Sequence, residues 1–198
     1  MKRVPVLLLL LSLVLLFILF LMPPPVRAQE SPDEPETIRV LLDSRAYRNY
    51  TTEPVRQEDL DAIIACGLRS PSVVNAQPWH FTVVRNRDAA DKIIETNGVV
   101  IVISVLPGSG LEDIDEMVSI FDCGLATQAM YTAAQALGLG ANIFWAPVAH
   151  VKETMREELS IPDDYRILMI MTVGHVDMDA VSSATSRNDA GVLVNYID

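Results

Sequence analysis

Two apolar, largely β-branched runs constrain the fold more than any other feature of this 198-residue chain. They lie at residues 99–105 and 167–173, and neither contains a charged residue. Continuous apolar strands of this kind are typical of a sheet that is covered by helices on both faces. Helix-like segments alternate with the runs along the chain, so we predict an α/β or α+β sandwich around a central sheet.

The helix-like segments follow from the spacing of their apolar residues. Residues 57–69 carry Leu60, Ile63, Ile64 and Leu68 on one helical face. Residues 118–137 form the longest such segment, and its many alanines and glycines permit close approach of another backbone. We therefore expect this helix at the centre of the fold or at a subunit interface. Further strands are predicted over residues 81–85 and 142–145, and further helices over 37–42, 88–95 and 150–159.

The first 28 residues indicate a targeting segment rather than part of the fold. Lys2 and Arg3 precede an apolar run over residues 4–22, and Val26-Arg27-Ala28 matches the cleavage site of a secretory signal. The alternative is an uncleaved membrane anchor, because the run approaches the roughly 20 residues that span a bilayer. We therefore predict an exported protein, periplasmic or extracellular, or one tethered through residues 4–22. Residues 29–36 are then an acidic linker, and residues 37–198 form the domain.

Charge and motif content exclude several classes of protein. Acidic residues outnumber basic ones by 26 to 15, and without residues 1–28 the formal charge is −14. Such a surface opposes general nucleic-acid binding, which needs a basic stripe. The hydrolase motifs G-x-S-x-G and H-E-x-x-H are absent, as is the dinucleotide motif G-x-G-x-x-G.

The chain has two cysteines, Cys66 and Cys123, which are too few for a multi-cysteine metal or iron–sulfur centre. No metal site is predicted. Export would permit a disulfide between the two cysteines. Each lies in an apolar, helix-like setting, however, which favours buried free thiols.

Two polar segments are unusual for packing alone. Residues 70–81 place Ser72, Asn75 and Gln77 within six positions between a helix and a strand, and their amide and hydroxyl groups can read the edge of a heteroaromatic ring. Arg45 and Arg48 lie three residues apart on one helical face, which suits a phosphate. Taken singly, the segments also fit a capped turn and a solvated basic turn. Together they predict a pocket for a phosphorylated, planar heterocycle.

Four blocks in this order resemble the nitroreductase family of flavoproteins. Residues 45–50, Arg-Ala-Tyr-Arg-Asn-Tyr, are similar to the family's R-S-x-R-x-F, with Ala46 in place of the serine. Residues 70–81, Ser-Pro-Ser-Val-Val-Asn-Ala-Gln-Pro-Trp-His-Phe, are similar to its P-S-x-x-N-x-Q-P-W-x-F. Residues 122–140 supply the third block. Residues 161–175 supply the fourth, which is similar to I-P-x-x-Y…V-G-Y/H.

The resemblance implies an α+β homodimer with a three-layer sandwich, whose central mixed sheet is flanked by helices. It also implies that FMN lies at the interface of the two chains. Carried over by position, the backbone N–H of Trp145 would face flavin N5 as the catalytic contact, and Gln77 would support its loop. The residues implied at the cofactor are Arg45, Ala46, Arg48, Pro71, Ser72, Asn75, Gln77, Ile143, Phe144, Trp145, Ala146 and Arg187.

The same resemblance implies an FMN-dependent oxidoreductase. NAD(P)H would supply hydride, and an electron-poor acceptor such as a nitroaromatic or a quinone would take the electrons in a ping-pong cycle. Two alternatives stay open from the sequence. One is an exported flavin-binding protein without catalysis, and the other is a membrane-associated accessory subunit.

Overall fold

The computed structural model describes residues 35–106, 116–183 and 185–197. The described residues from Arg39 onwards form one compact unit, which contains the four-stranded sheet. Four strands form this sheet: β1 (Trp79–Val84), β2 (Val99–Val105), β3 (Gly140–Phe144) and β4 (Arg166–Gly174). The α-helices are α1 (Glu36–Leu42), α2 (Gln57–Leu68), α3 (Arg87–Ile93), α4 (Glu116–Ala136), α5 (Val148–His150) and α6 (Ala190–Leu193). Short 3₁₀ helices cover Val73–Asn75 and Met178–Ala180, and a π-helix covers Val151–Met155.

The sheet has the strand order β1-β2-β4-β3, with β1 and β3 at its edges. Each neighbouring pair is antiparallel. The α+β fold class is therefore confirmed, but within the described residues the sheet is antiparallel throughout rather than mixed. Strand direction was not readable from the apolar runs, because burial on both faces depends on the covering helices and not on whether neighbouring strands are parallel.

Side chains alternate between two separate cores on the faces of β2. Ile101 and Ile103 pack with α2 and α4, whereas Val100 and Val102 pack with α3, α5 and the π-helix. All four side chains are fully buried. Helices thus cover both faces of the sheet, and the predicted three-layer sandwich is confirmed.

Helix α4 lies at the centre of the first core, as its small residues predicted. Cys123, Ala126, Met130 and Ala134 recur at helical spacing and are completely buried. Helix α2 crosses close by: a Cβ atom at Gly67 would lie 2.7 Å from Cγ of Met130. A side chain at this glycine would therefore displace the buried Met130 side chain.

The two cysteines differ in environment. Both are free thiols, Cys123 buried and Cys66 exposed. Burial raises the pKa of the Cys123 thiol to about 12. The prediction of two buried thiols is wrong for Cys66, because α2 turns Leu60, Ile63 and Gly67 towards the core and leaves Cys66 on its outer face.

Residues 1–34, which include the predicted targeting segment and most of the linker, lie outside the described residues. Within the ranges that the structure describes, no helix combines the length and apolar character needed to cross a bilayer.

Candidate functional site

The arginine-bearing segment before α2 runs along the outer edge of β3. The backbone N–H of Tyr47 donates to the carbonyl of Ala141 at 2.9 Å. The backbone N–H of Arg45 donates to Oε1 of Gln135, near the end of α4, at 3.2 Å. A Cβ atom at Gly140 would lie 2.8 Å from Cβ of Tyr47. The glycine at the start of β3 therefore allows the segment to lie against the sheet.

Tyr50 anchors this segment at the other side of the same sheet end. Its ring covers Gly174, where a Cβ atom would lie 2.7 Å from Cγ of the tyrosine. Its hydroxyl donates to the carbonyl of Tyr47 at 2.6 Å and lies 2.8 Å from Oγ1 of Thr172. Burial raises the pKa of Tyr50 above its ordinary value. The hydroxyl therefore keeps its proton and its hydrogen bond to the carbonyl of Tyr47, the residue between the two arginines.

The arginines line a small cleft of about 50 Å³ together with residues 180–182 of the C-terminal segment. The Arg45 guanidinium donates to the carbonyl of Ser182 and lies 5.4 Å from the centre of the Tyr47 ring. Arg48 is exposed at the same cleft, and Ala46 also lines it. No acidic residue that the structure describes lines the cleft. Two guanidinium groups without an acidic neighbour fit a phosphate group.

Arg187 lies five residues beyond Ser182 on the exposed C-terminal segment. It does not line the cleft. The contact of Arg187 with the cofactor phosphate therefore stays a prediction.

The edge of β3 that carries the arginine segment also leads to Trp145. In a strand, the N–H and C=O groups of every second residue point to the same side. Ala141 accepts its bond from Tyr47 on the side away from β4, so Ile143 presents its backbone groups at that outer edge. Trp145 directly follows the last residue of β3, and its carbonyl accepts from the N–H of Val148 in the next turn. Trp145 is 71% exposed, whereas Phe144 packs into the second core. Ala146 is exposed at the following turn. Trp145 thus lies four residues, roughly 13 Å, along the edge from Ala141.

The Ser-Asn-Gln turn predicted from residues 70–81 contains a strained backbone. Val74, Asn75 and Gln77 all have positive φ, at 49°, 59° and 49°. For a β-branched residue such as valine this conformation is an outlier, and it persists only where surrounding contacts enforce it. The turn is exposed at Pro71, Val74 and Asn75, so the strain is held at the surface and not by core packing.

Hydrogen bonds from within the turn and from α4 enforce this conformation. The N–H of Gln77 donates to Oγ of Ser72 at 3.0 Å, and its side-chain amide donates to the carbonyl of Asn75 at 3.4 Å. The N–H of Val73 donates to Oδ2 of Asp122 at 3.1 Å. Asp122 was not identified from the sequence as a functional group. A carboxylate placed between apolar residues of a buried helix was the sign that could have identified it.

The turn and the arginine cleft lie at different ends of α4 in a single chain. The turn is bonded to Asp122 and the arginine segment to Gln135, 13 residues further along the helix. At 1.5 Å per residue this separation is roughly 20 Å. The prediction that both segments line one pocket is therefore not met within one chain.

Two larger cavities adjoin these segments. One of about 520 Å³ lies behind Tyr47 and is lined among others by Gln135 and His175. The other, of about 320 Å³, begins at Trp145 and Ala146. Neither cavity was predicted from the sequence. The first is lined by segments that are far apart along the chain, and the second is lined by residues 145–156 and the start of β4.

The three-layer fold defines an α+β protein with a basic cleft beside one edge of its sheet. The sequence profile of the Nitroreductase family matches residues 42–98 and 92–175. The chain belongs to this family, and the resemblance drawn from the four sequence blocks is confirmed.

Relatives support the assignment. A protein of Archaeoglobus fulgidus, provisionally named NADH dehydrogenase/NAD(P)H nitroreductase, is 30% identical over 152 residues, which cover 71% of this chain and 85% of the relative. The FMN reductase [NAD(P)H] of Bacillus subtilis is 30% identical over 164 residues, covering 71% of this chain and 66% of the relative. A provisionally named nitroreductase from Desulfovibrio desulfuricans, solved with FMN, shares the fold. Its TM-score is 0.72 at 23% identity, over 83% of this chain and 98% of the other.

Proposed function

We propose that this protein is an FMN-dependent oxidoreductase that takes hydride from NAD(P)H and reduces an electron-poor acceptor such as a nitroaromatic or a quinone. The observation that carries the proposal is that the segment with the two-arginine cleft is bonded to the outer edge of β3, the strand that leads directly into Trp145. Membership of the Nitroreductase family and the FMN reductase of Bacillus subtilis support the same chemistry. The bound flavin would supply the redox chemistry, in a ping-pong cycle.

The chain's own residues would bind and orient the cofactor. Arg45 and Arg48 would neutralise its phosphate, assisted by the backbone at Ala46 and by Arg187 from the C-terminal segment. The N–H of Trp145 would donate to the redox-active edge of the ring, which favours the charge that develops there on reduction. No side chain is needed as an obligatory acid or base.

We further propose that the site is completed by a second copy of the chain. Hydrogen bonds from Ser70 to the Leu125 carbonyl and from Val73 to Asp122 bring the end of α2 and the strained turn against α4. The exposed apolar residues at this junction form one surface, and each of them is between 45% and 64% exposed. We call it the α4 patch; its residues are Leu68, Val73, Val74, Phe121 and Leu125. Monomeric soluble proteins rarely expose such a contiguous surface without a partner. Pairing of two α4 patches by a two-fold axis would bring Ser72 and Asn75 of one copy towards the other copy.

Gly124 lies within the same stretch of α4. Apart from its chain neighbours and the adjacent backbone of α4, a Cβ atom there would meet no described atom within 4 Å. A mid-helix glycine costs roughly 1 kcal/mol relative to alanine, so its own chain gains nothing from it. Close approach by another chain would explain the residue.

The apolar run at residues 4–22 supports a proposal of export or membrane attachment. N-terminal sequencing of the native protein tests it, since a chain that begins near Gln29 indicates cleavage.

Anaerobic reduction of the FMN-loaded protein tests the function. We expect NADH or NADPH to bleach the visible flavin band, and an added quinone to restore it. A yellow protein that only dithionite bleaches would contradict NAD(P)H oxidation and would favour a binding protein without catalysis.

The Arg48→Ala variant tests the cofactor site. It should weaken FMN binding by about 1.5–3 kcal/mol, the contribution of a charged hydrogen bond. Arg85→Ala is the matched control, because Arg85 follows β1 at the opposite edge of the sheet and bonds Gln57. Equal FMN affinity in both variants would refute the role of Arg48.

A further inference from the structure

The 320 Å³ cavity that begins at Trp145 lies between the end of β3, the α5 and π-helical segment, and the start of β4. Val148, Val151 and Met155 turn inwards from this segment and are buried in the second core. Lys152 and Arg156, one turn apart on the neighbouring face, line the cavity. A π-helix is uncommon and is frequently found at functional sites.

The guanidinium of Arg156 is held in place by the chain. Its Nη1 donates to the carbonyl of Pro162 at 2.6 Å, and its Nη2 donates to the carbonyl of Tyr165 at 2.9 Å. These bonds occupy two of the five N–H donors of the guanidinium, and both acceptors are neutral carbonyls, so they leave its positive charge in place. Arg166, the next residue after Tyr165, also lines the cavity. The positive charge is therefore positioned before any ligand arrives.

The charge of the cavity is opposite to that of the protein. Lys152, Arg156 and Arg166 line it, and none of the residues that the structure describes as its lining is acidic. Glu153 and Glu157 lie on the same segment but do not line the cavity. The whole chain carries a formal charge of −11. A concave basic site attracts anions, whereas the acidic surface around it repels them.

We propose that this cavity is an anion subsite that selects substrates with a phosphate, sulfonate or carboxylate group for reaction beside Trp145. The inference rests on the proposed function for the position of the reacting ring, and it adds the class of substrate. An uncharged nitroaromatic or quinone gains nothing from the cations, whereas an anionic one is held by its charged group. The anion can belong to the electron acceptor or to the nucleotide donor.

Steady-state kinetics of the FMN-loaded protein separate these two sources, because in a ping-pong cycle kcat/KM is measured independently for donor and acceptor. The acceptor pair is 1,2-naphthoquinone and its 4-sulfonate, and the donor pair is NADH and NADPH. The variant is Lys152→Gln. The matched control is Lys92→Gln, which removes another exposed lysine, on α3, that is paired with Glu158 in the turns after the π-helix.

We expect Lys152→Gln to lower the ratio of kcat/KM for the sulfonate to that for the uncharged quinone by about five- to tenfold, which is less than a buried charged hydrogen bond contributes because water screens the exposed lysine. A fall confined to the NADPH-to-NADH ratio would instead assign the subsite to the donor. Lys92→Gln should change neither ratio. Overlapping ratios in wild type and Lys152→Gln for both pairs would overturn the proposal.

Binding of inorganic pyrophosphate, followed by calorimetry, tests the subsite without turnover. We expect Lys152→Gln to weaken the binding and Lys92→Gln to leave it as in wild type. If Lys152→Gln weakens the binding in a protein that NAD(P)H never reduces, the subsite stands and the proposed function fails. If Lys152→Gln changes neither pyrophosphate binding nor the kinetic ratios of an active enzyme, the subsite is wrong and the function stands.

Discussion

Replacement of Phe121 by alanine should dissociate the proposed dimer. Phe121 belongs to the α4 patch and is 64% exposed in a single chain. A phenylalanine side chain offers on the order of 200 Å² for burial, so roughly 130 Å² is left for a partner to cover. At about 25 cal/mol per Å² this area contributes roughly 3 kcal/mol per chain. A two-fold interface contains the residue twice, which sets an upper bound of about 6 kcal/mol.

Analytical ultracentrifugation over a range of concentrations measures the effect. Because association costs offset part of the buried area, we expect the dissociation constant to rise by between two and four orders of magnitude. Val83→Ala, on the outer strand β1 and 38% exposed, is the control and should change it by less than about tenfold. An unchanged dissociation constant in Phe121→Ala, or a wild-type protein that sediments as a monomer, would refute the reasoning.

Three further predictions use single residues. In a monomeric background, Gly124→Ala should raise the free energy of unfolding by up to about 1 kcal/mol through helix propensity, as measured by urea melts. In the otherwise wild-type chain, the same substitution should weaken dimer association, as measured by ultracentrifugation. Iodoacetamide at mildly alkaline pH should alkylate Cys66 and spare Cys123, whose burial raises the pKa of its thiol; mass spectrometry of tryptic peptides would disprove this by showing equal labelling. The Arg56 guanidinium makes two hydrogen bonds to the Asp59 carboxylate and lowers its pKa. The pair therefore stabilises the fold above the ordinary aspartate pKa of about 4, and this stabilisation is lost as the pH falls through the lowered pKa. In urea melts, the loss of unfolding free energy caused by Arg56→Gln should become smaller as the pH falls, and an equal loss at pH 7 and in strong acid would contradict this.

The layered fold was predictable from sequence because its signals are local. The apolar runs at residues 99–105 and 167–173 coincide with β2 and β4, and the long small-residue segment coincides with α4. The spacing of apolar residues also predicted the ends of the longer helices to within two residues. A helix was predicted over residues 150–159. The observed helix begins at Val148, two residues earlier, and continues as a π-helix and then as turns. Val148, Val151 and Met155 of this segment are buried in the second core.

The site was predictable only in part because it depends on contacts between distant segments. The arginine segment and the strained turn were both identified as unusual, but their attachment to opposite ends of α4 has no local signature. Gln135 bonds Ser44 and Arg45 across 91 and 90 residues of sequence, and Asp122 bonds Val73 across 49. The cation cluster around Lys152 was also missed, since the spacing of Lys152, Arg156 and Arg166 does not show that the π-helical segment and the start of β4 line one cavity.

A complementation measurement tests the central claim, a cofactor site shared by two copies of the chain. Arg48→Ala and Asn75→Ala each remove one half of the proposed site, and each variant alone should bind FMN weakly. Co-refolding equal amounts of the two variants should restore tight FMN binding in about one site in four, because half of the dimers are mixed and each mixed dimer holds one intact site. Recovery to that level supports the shared site, and no recovery in a mixture shown to contain mixed dimers would contradict it.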